Sequence, residues 1–543
     1  MFLKPSLYMT CVFIFTVVLL LPGCLDSNES QLSLSGLVYC SEGAPDNFNP
    51  HTGTSFTNFN ASSRVIFNRL VKTDNVTGRI LPSLALRWSV SDDGKSYVFD
   101  LREDVVFHTT DWFKPSRAFN ADDVIFSFER QRDFNHPFHD NGNTDYNYYQ
   151  SSGFQNNIQS ISKTSDTQVQ FQLHKPDSSF LFSLSMDFSS ILSKEYAEKL
   201  QEQGLIAQFD QQPIGTGPFQ FKKYQNDAFI RYSAHPHFMD GKSKIDHLVY
   251  AITPDSSTRY ARLVSGECDV MANPPKSQYD LLKNNPDIQV YQKPGLNIGY
   301  LAFNTLKAPL DNLKVRQAIA MAIDKKRLVE RVYGDLGTIN HSLLPPAMAP
   351  YYNNNLKGQE FNPEKAKAIL EEQNVLPISI DLWALPVQRA YNPNGMLMAE
   401  LIQEDLSQIG INIRLVTFEW STYLEKVKTG EHDMALLGWV ADNYSANDFL
   451  STLIGCDGIT TRTNRTRWCS RQLDSYLQEA NESTDESKKT QLYYLVQSII
   501  ADQVPLIPIA TGESVLVADK QVQNIELQTL GGIKFTDIRK APK

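Results

Sequence analysis

Positive charge is what this chain is short of: 51 Lys and Arg face 61 Asp and Glu, leaving a formal net charge of −10 over 543 residues. A surface of that sign lacks the basic stripe that phosphate backbones require, which argues against nucleic acid as a partner, and against docking on an anionic leaflet by charge alone. Past the first 24 residues, no segment approaches the run of about 18 apolar side chains that a membrane-crossing helix needs. Internal repeats and low-complexity tracts are absent, so solenoids and long disordered tracts are excluded. The chain also lacks G-x-S-x-G, H-E-x-x-H and G-x-x-x-x-G-K-[ST], which weighs against the common hydrolase, metalloprotease and nucleotide-hydrolysing chemistries. Histidine numbers only 10, and the pairs His136-x-x-His139 and His235-x-His237 have no Cys or acid beside them in ligand spacing. Neither a metal site nor a resident cofactor is expected.

What remains is ordinary globular material, 41% hydrophobic and 21% charged, with 27 Gly and 27 Pro. The length holds three to four folding units of about 150 residues, or two large lobes. Aromatic residues are plentiful (23 Tyr, 30 Phe, 6 Trp), and flat apolar walls suit either a ligand or a core.

The N-terminus reads as an export signal over residues 1–23. Lys4 is its only charge, and the apolar stretch from Ser6 to Leu21 is too short to span a bilayer. Leu21-Pro22-Gly23-Cys24 is similar to the lipobox of bacterial lipoproteins, in which the Cys receives a diacylglycerol. Residues 24–35 then form a polar tether, and the expected place of the protein is the periplasm, anchored through Cys24. Four cysteines remain: Cys40, Cys268, Cys456 and Cys469. Four permit three pairings. Zinc is disfavoured, because no Cys lies two residues from another. The close pair, Cys456 and Cys469, brackets a polar loop whose closure is worth about 3 kcal/mol in the chain-entropy model.

Periodicity places the elements. Leu37–Cys40 reads as a short strand, and Leu86–His108 holds strand-like runs around the turn Ser91-Asp92-Asp93-Gly94. Asn120-Ala121-Asp122-Asp123 caps a helix over Val124–Arg130, with acids in its first turn. Thr167–Leu173 alternates as a strand, and Ser193–Gly204 reads as a helix ended by Gly. Val315–Tyr333 reads as one helix. Asn362-Pro363-Glu364 opens another, over Lys365–Gln373, with Pro at its first position. Ser379–Ala384, Leu397–Ile409 and Ile411–Phe418 follow as strand, helix and strand, the helix stopping at Gly410. That order implies a parallel crossover in an α/β fold.

Four stretches carry a resemblance: Ala121-Asp122-Asp123-Val124-Ile125-Phe126-Ser127-Phe128, Ile214-Gly215-Thr216-Gly217-Pro218-Phe219, Pro294-Gly295-Leu296-Asn297-Ile298-Gly299-Tyr300 and Val315-Arg316-Gln317-Ala318. In this order they resemble the extracytoplasmic solute-binding proteins, family 5, of peptide ABC importers. The likeness runs from about Leu37 to about Thr511 and is nearest to the subgroup that binds dipeptides, with heme-binding, glutathione-binding and Sap-type relatives. The resemblance implies a two-lobe periplasmic-binding-protein fold of type II (cluster C-like): lobe I from 36–296 plus 509–543, lobe II from 297–508, and a hinge near Leu296–Phe303 and Leu506–Thr511. It implies pairing of Cys40 with Cys268 and of Cys456 with Cys469. It further implies a monomer that captures a dipeptide or small peptide-like ligand and delivers it to ABC permease subunits in the inner membrane.

A free dipeptide is a zwitterion, and enclosing one calls for an acid for its ammonium and a base for its carboxylate, since an unpaired buried charge costs several kcal/mol. Arg suits the carboxylate because its planar fork binds both oxygens. The resemblance assigns these parts to Arg389, in Gln388-Arg389-Ala390-Tyr391-Asn392, and to Asp442, in Gly438-Trp439-Val440-Ala441-Asp442-Asn443, with Tyr391 and Trp439 as walls. By composition alone Arg389 reads as a solvated turn residue and Asp442-Asn443 as a turn or cap pair. Gly215-Thr216-Gly217-Pro218 reads as a structural turn, since Pro218 removes an amide and no Lys-Ser/Thr follows. Where relatives usually follow the acid with Gly-Asp-Pro, this chain has Tyr444-Ser445-Ala446, a bulky departure beside the expected pocket. Heme, glutathione or an antimicrobial peptide are the alternative ligands. A peptide hydrolase, distinguished by turnover of bound peptide, and a chaperone or adhesin that binds at its surface are the readings of another class.

Overall fold

The computed structural model describes residues 36–541 except 46, 54, 55, 140–145, 275, 461, 484 and 531. The export signal, Cys24 and the tether lie outside the described residues. Two α/β halves share one twelve-stranded sheet. From one edge its strands run Ile411–Val416, Ile378–Trp383, Met434–Val440, Asn297–Phe303, Leu506–Asp519, Val270–Ala272, Gly36–Ser41, His247–Ile252, Phe229–Ala234 and Phe219–Gln225, and two more, Ile288–Pro294 and Gly337–Ile339, pair with Leu506–Asp519. A four-stranded antiparallel sheet, Ala85–Val90, Ser96–Leu101, Gln168–Leu173 and Ile158–Ser165, packs in the first half.

The join is the 14-residue strand Leu506–Asp519. Its first part pairs with Asn297–Phe303 (Leu301 opposite Ile507) and its second with Ile288–Pro294 (Tyr291 opposite Leu516). Buried side chains separate accordingly. One core draws on residues from Leu296 to Ala510, and another on residues from Leu37 to Val270 together with Leu516 to Ile538. A third, small cluster surrounds the disulfide Cys40–Cys268, and the second disulfide joins Cys456 to Cys469. Both pairs are those implied by the resemblance.

Local signals built much of this frame. Asn120 accepts from the Asp122 N–H at 3.0 Å while its own N–H donates to Asp123 at 3.0 Å, a reciprocal cap worth about 1 kcal/mol. The helix therefore begins at Ala121 and runs to Arg132, longer at both ends than its apolar period indicates. Asn362 caps Pro363–Glu372, with Pro where no amide partner is needed. The helix Gly395–Ser407 ends before Gly410, whose φ of +87° is the left-handed conformation Gly adopts freely. Ile378 and Ile411 are in parallel register, which completes the crossover.

One helix expected over Val315–Tyr333 is two: Leu313–Ala322 and Lys325–Val332. Ile323 is extended (φ −90°, ψ 118°) and Asp324 caps the second helix, its carboxylate accepting from the Arg327 N–H at 3.0 Å. Asp405, from another helix, accepts the Asp324 N–H at 3.1 Å. A local cap fixed by a distant acid overrides the helical period.

Two of the stretches behind the resemblance prove structural in their contacts. Arg316 is buried and donates to the carbonyls of Leu310, Asp311, Gln503 and Val504, tying its helix to the start of the crossing strand. In Gly215-Thr216-Gly217, a Cβ at either Gly would collide with the Ile66 backbone, at 2.0 Å and 2.5 Å. The Gly217 carbonyl faces His108 at 2.9 Å and His235 at 3.2 Å; burial pulls His235 down to about 4, so it sits there as a neutral ring.

Candidate functional site

Three sheet glycines prepare the site. On adjacent strands Gly299 and Gly438 lie opposite each other, and Gly512 lies on the crossing strand. A Cβ on Gly438 would stand 2.1 Å from the Tyr391 ring, one on Gly299 2.1 Å from the Tyr391 carbonyl oxygen, and one on Gly512 1.9 Å from the Ala390 carbonyl oxygen. The loop after the strand Ile378–Trp383 thus lies flat on bare backbone. Arg389 and Asn392 close it by exchanging N–H···O bonds of 3.0 Å, and the Tyr333 hydroxyl holds the Tyr391 carbonyl.

From this platform Arg389 reaches into solvent. Its guanidinium carbon stands 5.2 Å above the Trp420 ring, and it donates to the Gln388 carbonyl at 3.0 Å. It also bonds to Tyr391, whose phenol is pushed up by burial against the opposing pull of that guanidinium. Trp439 is half-buried, opposite Ile298 and packed on the second half's core, while Val440 beyond it is exposed.

Asp442 follows the strand Met434–Val440. The Tyr148 hydroxyl, from the first half, donates to its carboxylate at 2.9 Å. Burial pushes the Asp442 carboxyl up to about 7, the charges of Asp448 and Asp187 add to that, and the Tyr148 hydrogen bond opposes them. Asp448 is raised to about 6, again chiefly by burial. Asp187 goes the other way: burial is outweighed by Arg64, at 3.5 Å, and Arg69, at 3.2 Å, which hold its carboxyl below the usual range.

The halves meet around this acid. Asn443 donates to the Met186 sulfur at 3.2 Å and to Asp448 at 2.7 Å. Tyr444 lies over Gly78, where a Cβ would be 2.8 Å from its ring, and bonds to Thr529. It therefore reaches from the second half onto the first. Asn481 donates to Asp177 at 3.1 Å and accepts from the Ser178 hydroxyl at 3.1 Å. Asn297 clasps Gly512 with two bonds of 2.9 Å, one to its carbonyl and one from its N–H.

The structure sets Arg389 and Tyr391 on the glycine-floored face, while Trp439 follows Gly438 in the strand and Asp442 comes just beyond the strand's end. Among the described residues, neither Arg389 nor Asp442 has an opposite charge at ion-pair distance, and the two do not pair with each other. Such an arrangement can accept an anionic group at one end and a cationic group at the other. Sequence reasoning missed Tyr148, Arg64, Arg69, Asp187 and Trp420. Only the aromatic cluster Tyr146-Asn147-Tyr148-Tyr149 hinted at one of them.

Residues 79–461 match the family described as bacterial extracellular solute-binding proteins, family 5 Middle. The chain is 42% identical over 503 residues to the dipeptide-binding protein of Escherichia coli K12, covering 92% of this chain and 94% of that one. It is 42% identical over 474 residues to heme-binding protein A of Haemophilus influenzae, covering 87% and 86%. A crystal structure of the dipeptide-binding protein from Pseudoalteromonas sp. SM9913 with Met-Leu superposes with a TM-score of 0.83 at 40% identity, over 93% of this chain and all of that one.

Proposed function

The chain belongs to the bacterial extracellular solute-binding proteins of family 5, a family of receptors rather than enzymes, and from that premise we propose that it captures a zwitterionic dipeptide in the cleft between its halves and hands it to an ABC permease. One observation carries this reading: among the described residues the Asp442 carboxyl and the Arg389 guanidinium, on the loops after neighbouring strands, each lack a counter-charge. Burying an acid without a cation is unfavourable by several kcal/mol, and a dipeptide supplies both missing charges. Arg389 takes the ligand carboxylate, Asp442 the ammonium, and Tyr391 and Trp439 wall the side chains. The halves act as lobes of about 36–296 plus 509–543 and 297–508, bending where Asn297–Phe303 and Leu506–Asp519 cross. The ligand bridges them and favours the closed arrangement by its differential affinity. Mass spectrometry of small molecules released on denaturing the purified protein tests the ligand class. Dipeptides are the expected result; a tetrapyrrole or a longer peptide in their place would overturn it.

Acid will oppose capture. The ammonium requires ionised Asp442, whose carboxyl burial raises to about 7, so binding releases a proton. Affinity is expected to be highest between about pH 7 and 8, above which the ligand amine itself deprotonates, and to fall towards tenfold per pH unit below that window. For folding, the sign is the reverse. A carboxyl raised from its ordinary 3.8 to about 7 contributes stability below pH 4 that is lost as pH rises through 7, so the protein loses stability across that interval. Calorimetry in two buffers of different ionisation enthalpy will report the released proton. A pH-independent affinity from 5 to 8 would show that Asp442 does not meet an amine.

The membrane anchor belongs to the same proposal. In a periplasmic receptor whose described helices include none long and apolar enough to cross a membrane, lipid on Cys24 keeps the protein near its permease. Intact-mass analysis of membrane-extracted protein is expected to show residues 24–543 with a diacylglycerol adduct, and Cys24→Ser is expected to abolish it. An unmodified mature chain would refute the anchor.

A further inference from the structure

Lys325, the first residue of the helix Lys325–Val332, places its ammonium against the Asn340 carbonyl at a long 3.5 Å. Among the described residues no carboxylate lies within ion-pair distance of it. Close by, His341 Nδ1 is buried without a hydrogen-bond partner. The two groups converge: a Cβ on Gly358 would be 2.9 Å from His341 Nδ1 and 3.7 Å from Lys325 Nζ. Both line a cavity of about 30 Å³, walled by Leu343, Gln497 and Ile507, the last on the crossing strand. That volume exceeds the roughly 10–15 Å³ that one water needs.

The cavity therefore holds an ammonium with no counter-charge, bonded only at long range to the Asn340 carbonyl, and a ring nitrogen with no partner. A water would satisfy one donor but not the charge, and a buried ammonium without a counter-ion is unfavourable by several kcal/mol. Burial accordingly draws the Lys325 ammonium down to about 8, and burial, with the Lys325 charge added to it, lowers His341. We propose that this cavity binds one small monovalent inorganic anion between Lys325 Nζ and the His341 Nδ1–H, against the root of the crossing strand. Neither Arg389 nor Asp442 lines the cavity, so it stands or falls independently of the peptide reading. Gly358 belongs to it as the residue whose missing side chain leaves the space open.

Bromide is the probe, because it fills a chloride-sized site and is located by its anomalous scattering. Crystals of the wild-type protein soaked in sodium bromide are expected to show an anomalous peak within about 3.5 Å of Lys325 Nζ, the reach of a charge-assisted contact to a large anion. No peak there overturns the proposal. In solution, chloride in place of gluconate at equal ionic strength is expected to raise the unfolding midpoint of the wild type by about 1–2 °C. Lys325→Met is expected to lose that difference while binding dipeptide as the wild type does. Equal midpoints in the two salts for the wild type overturn the proposal. A bromide peak with the chloride response intact in Lys325→Met marks an adventitious ion only, and overturns it too.

Discussion

Arg389→Ala and Asp442→Asn are each expected to weaken dipeptide binding by about 2–5 kcal/mol, thirtyfold to several thousandfold, because each leaves one end of the enclosed zwitterion without its counter-charge. Blocking the ligand should reproduce each loss separately. An N-acetylated dipeptide should bind the wild type poorly yet lose little more on Asp442→Asn, and a C-terminal amide should behave the same way towards Arg389→Ala. Calorimetry over the four ligand forms and three proteins closes both cycles, and it separates a site effect from general damage, which would weaken every form alike. Asp442→Asn should also flatten the pH profile. If N-acetylation proves harmless to the wild type, Asp442 reads no amine and the zwitterion assignment fails. The two ends need not respond equally. Arg389 is exposed and braced on Trp420, so water partly screens its loss, whereas Asp442 lies between the halves, bonded by Tyr148.

Gly438→Ala should be nearly as damaging without touching a charge. Its Cβ would stand 2.1 Å from the Tyr391 ring, and the ring is not free to slide, since its own carbonyl is held by Tyr333 and rests on Gly299. Overpacking of this kind destabilises by about 1–3 kcal/mol, and here the strain falls on the loop that aims Arg389. Affinity for dipeptide is expected to drop at least a hundredfold, with a fall of a few degrees in the unfolding midpoint. Gly438→Ala combined with Tyr391→Ala should recover the midpoint but not the affinity. Wild-type affinity in Gly438→Ala alone would show that the Tyr391 loop does not floor the ligand site.

Local chemistry was legible in the sequence at several places where a side chain serves its own backbone neighbours. Asn120, Asn362 and Gly410 mark helix ends because their partners lie within four residues. The break at Asp324 escaped notice because Asp405, which receives its N–H, lies 81 residues away. Arg389 and Asp442 were singled out only through the resemblance; their local sequence reads as turns. Tyr148 was beyond reach for a different reason. Its bond to Asp442 spans 294 residues and leaves no periodic trace in either segment. The glycines were visible in Asn297-Ile298-Gly299 and Gly438-Trp439, but a Gly in a strand announces only that something approaches closely, not what. Arg316 carries the opposite lesson, since a residue of a family signature can serve packing rather than ligand.

The crossing strand also sets a timetable. Ile288–Pro294, and the edge of Val270–Ala272 not paired with Gly36–Ser41, find their partner only in residues 513–519, the last long strand among the described residues. A growing chain that has released residues 36–505 carries those edges open, and open edges invite pairing with other chains. The first half, though begun first, is finished last, after the whole of the intervening half has been made. Fusions or truncations that remove residues beyond 505 should therefore leave both halves incomplete, whereas the N-terminal boundary, at the outset of synthesis, imposes no such wait.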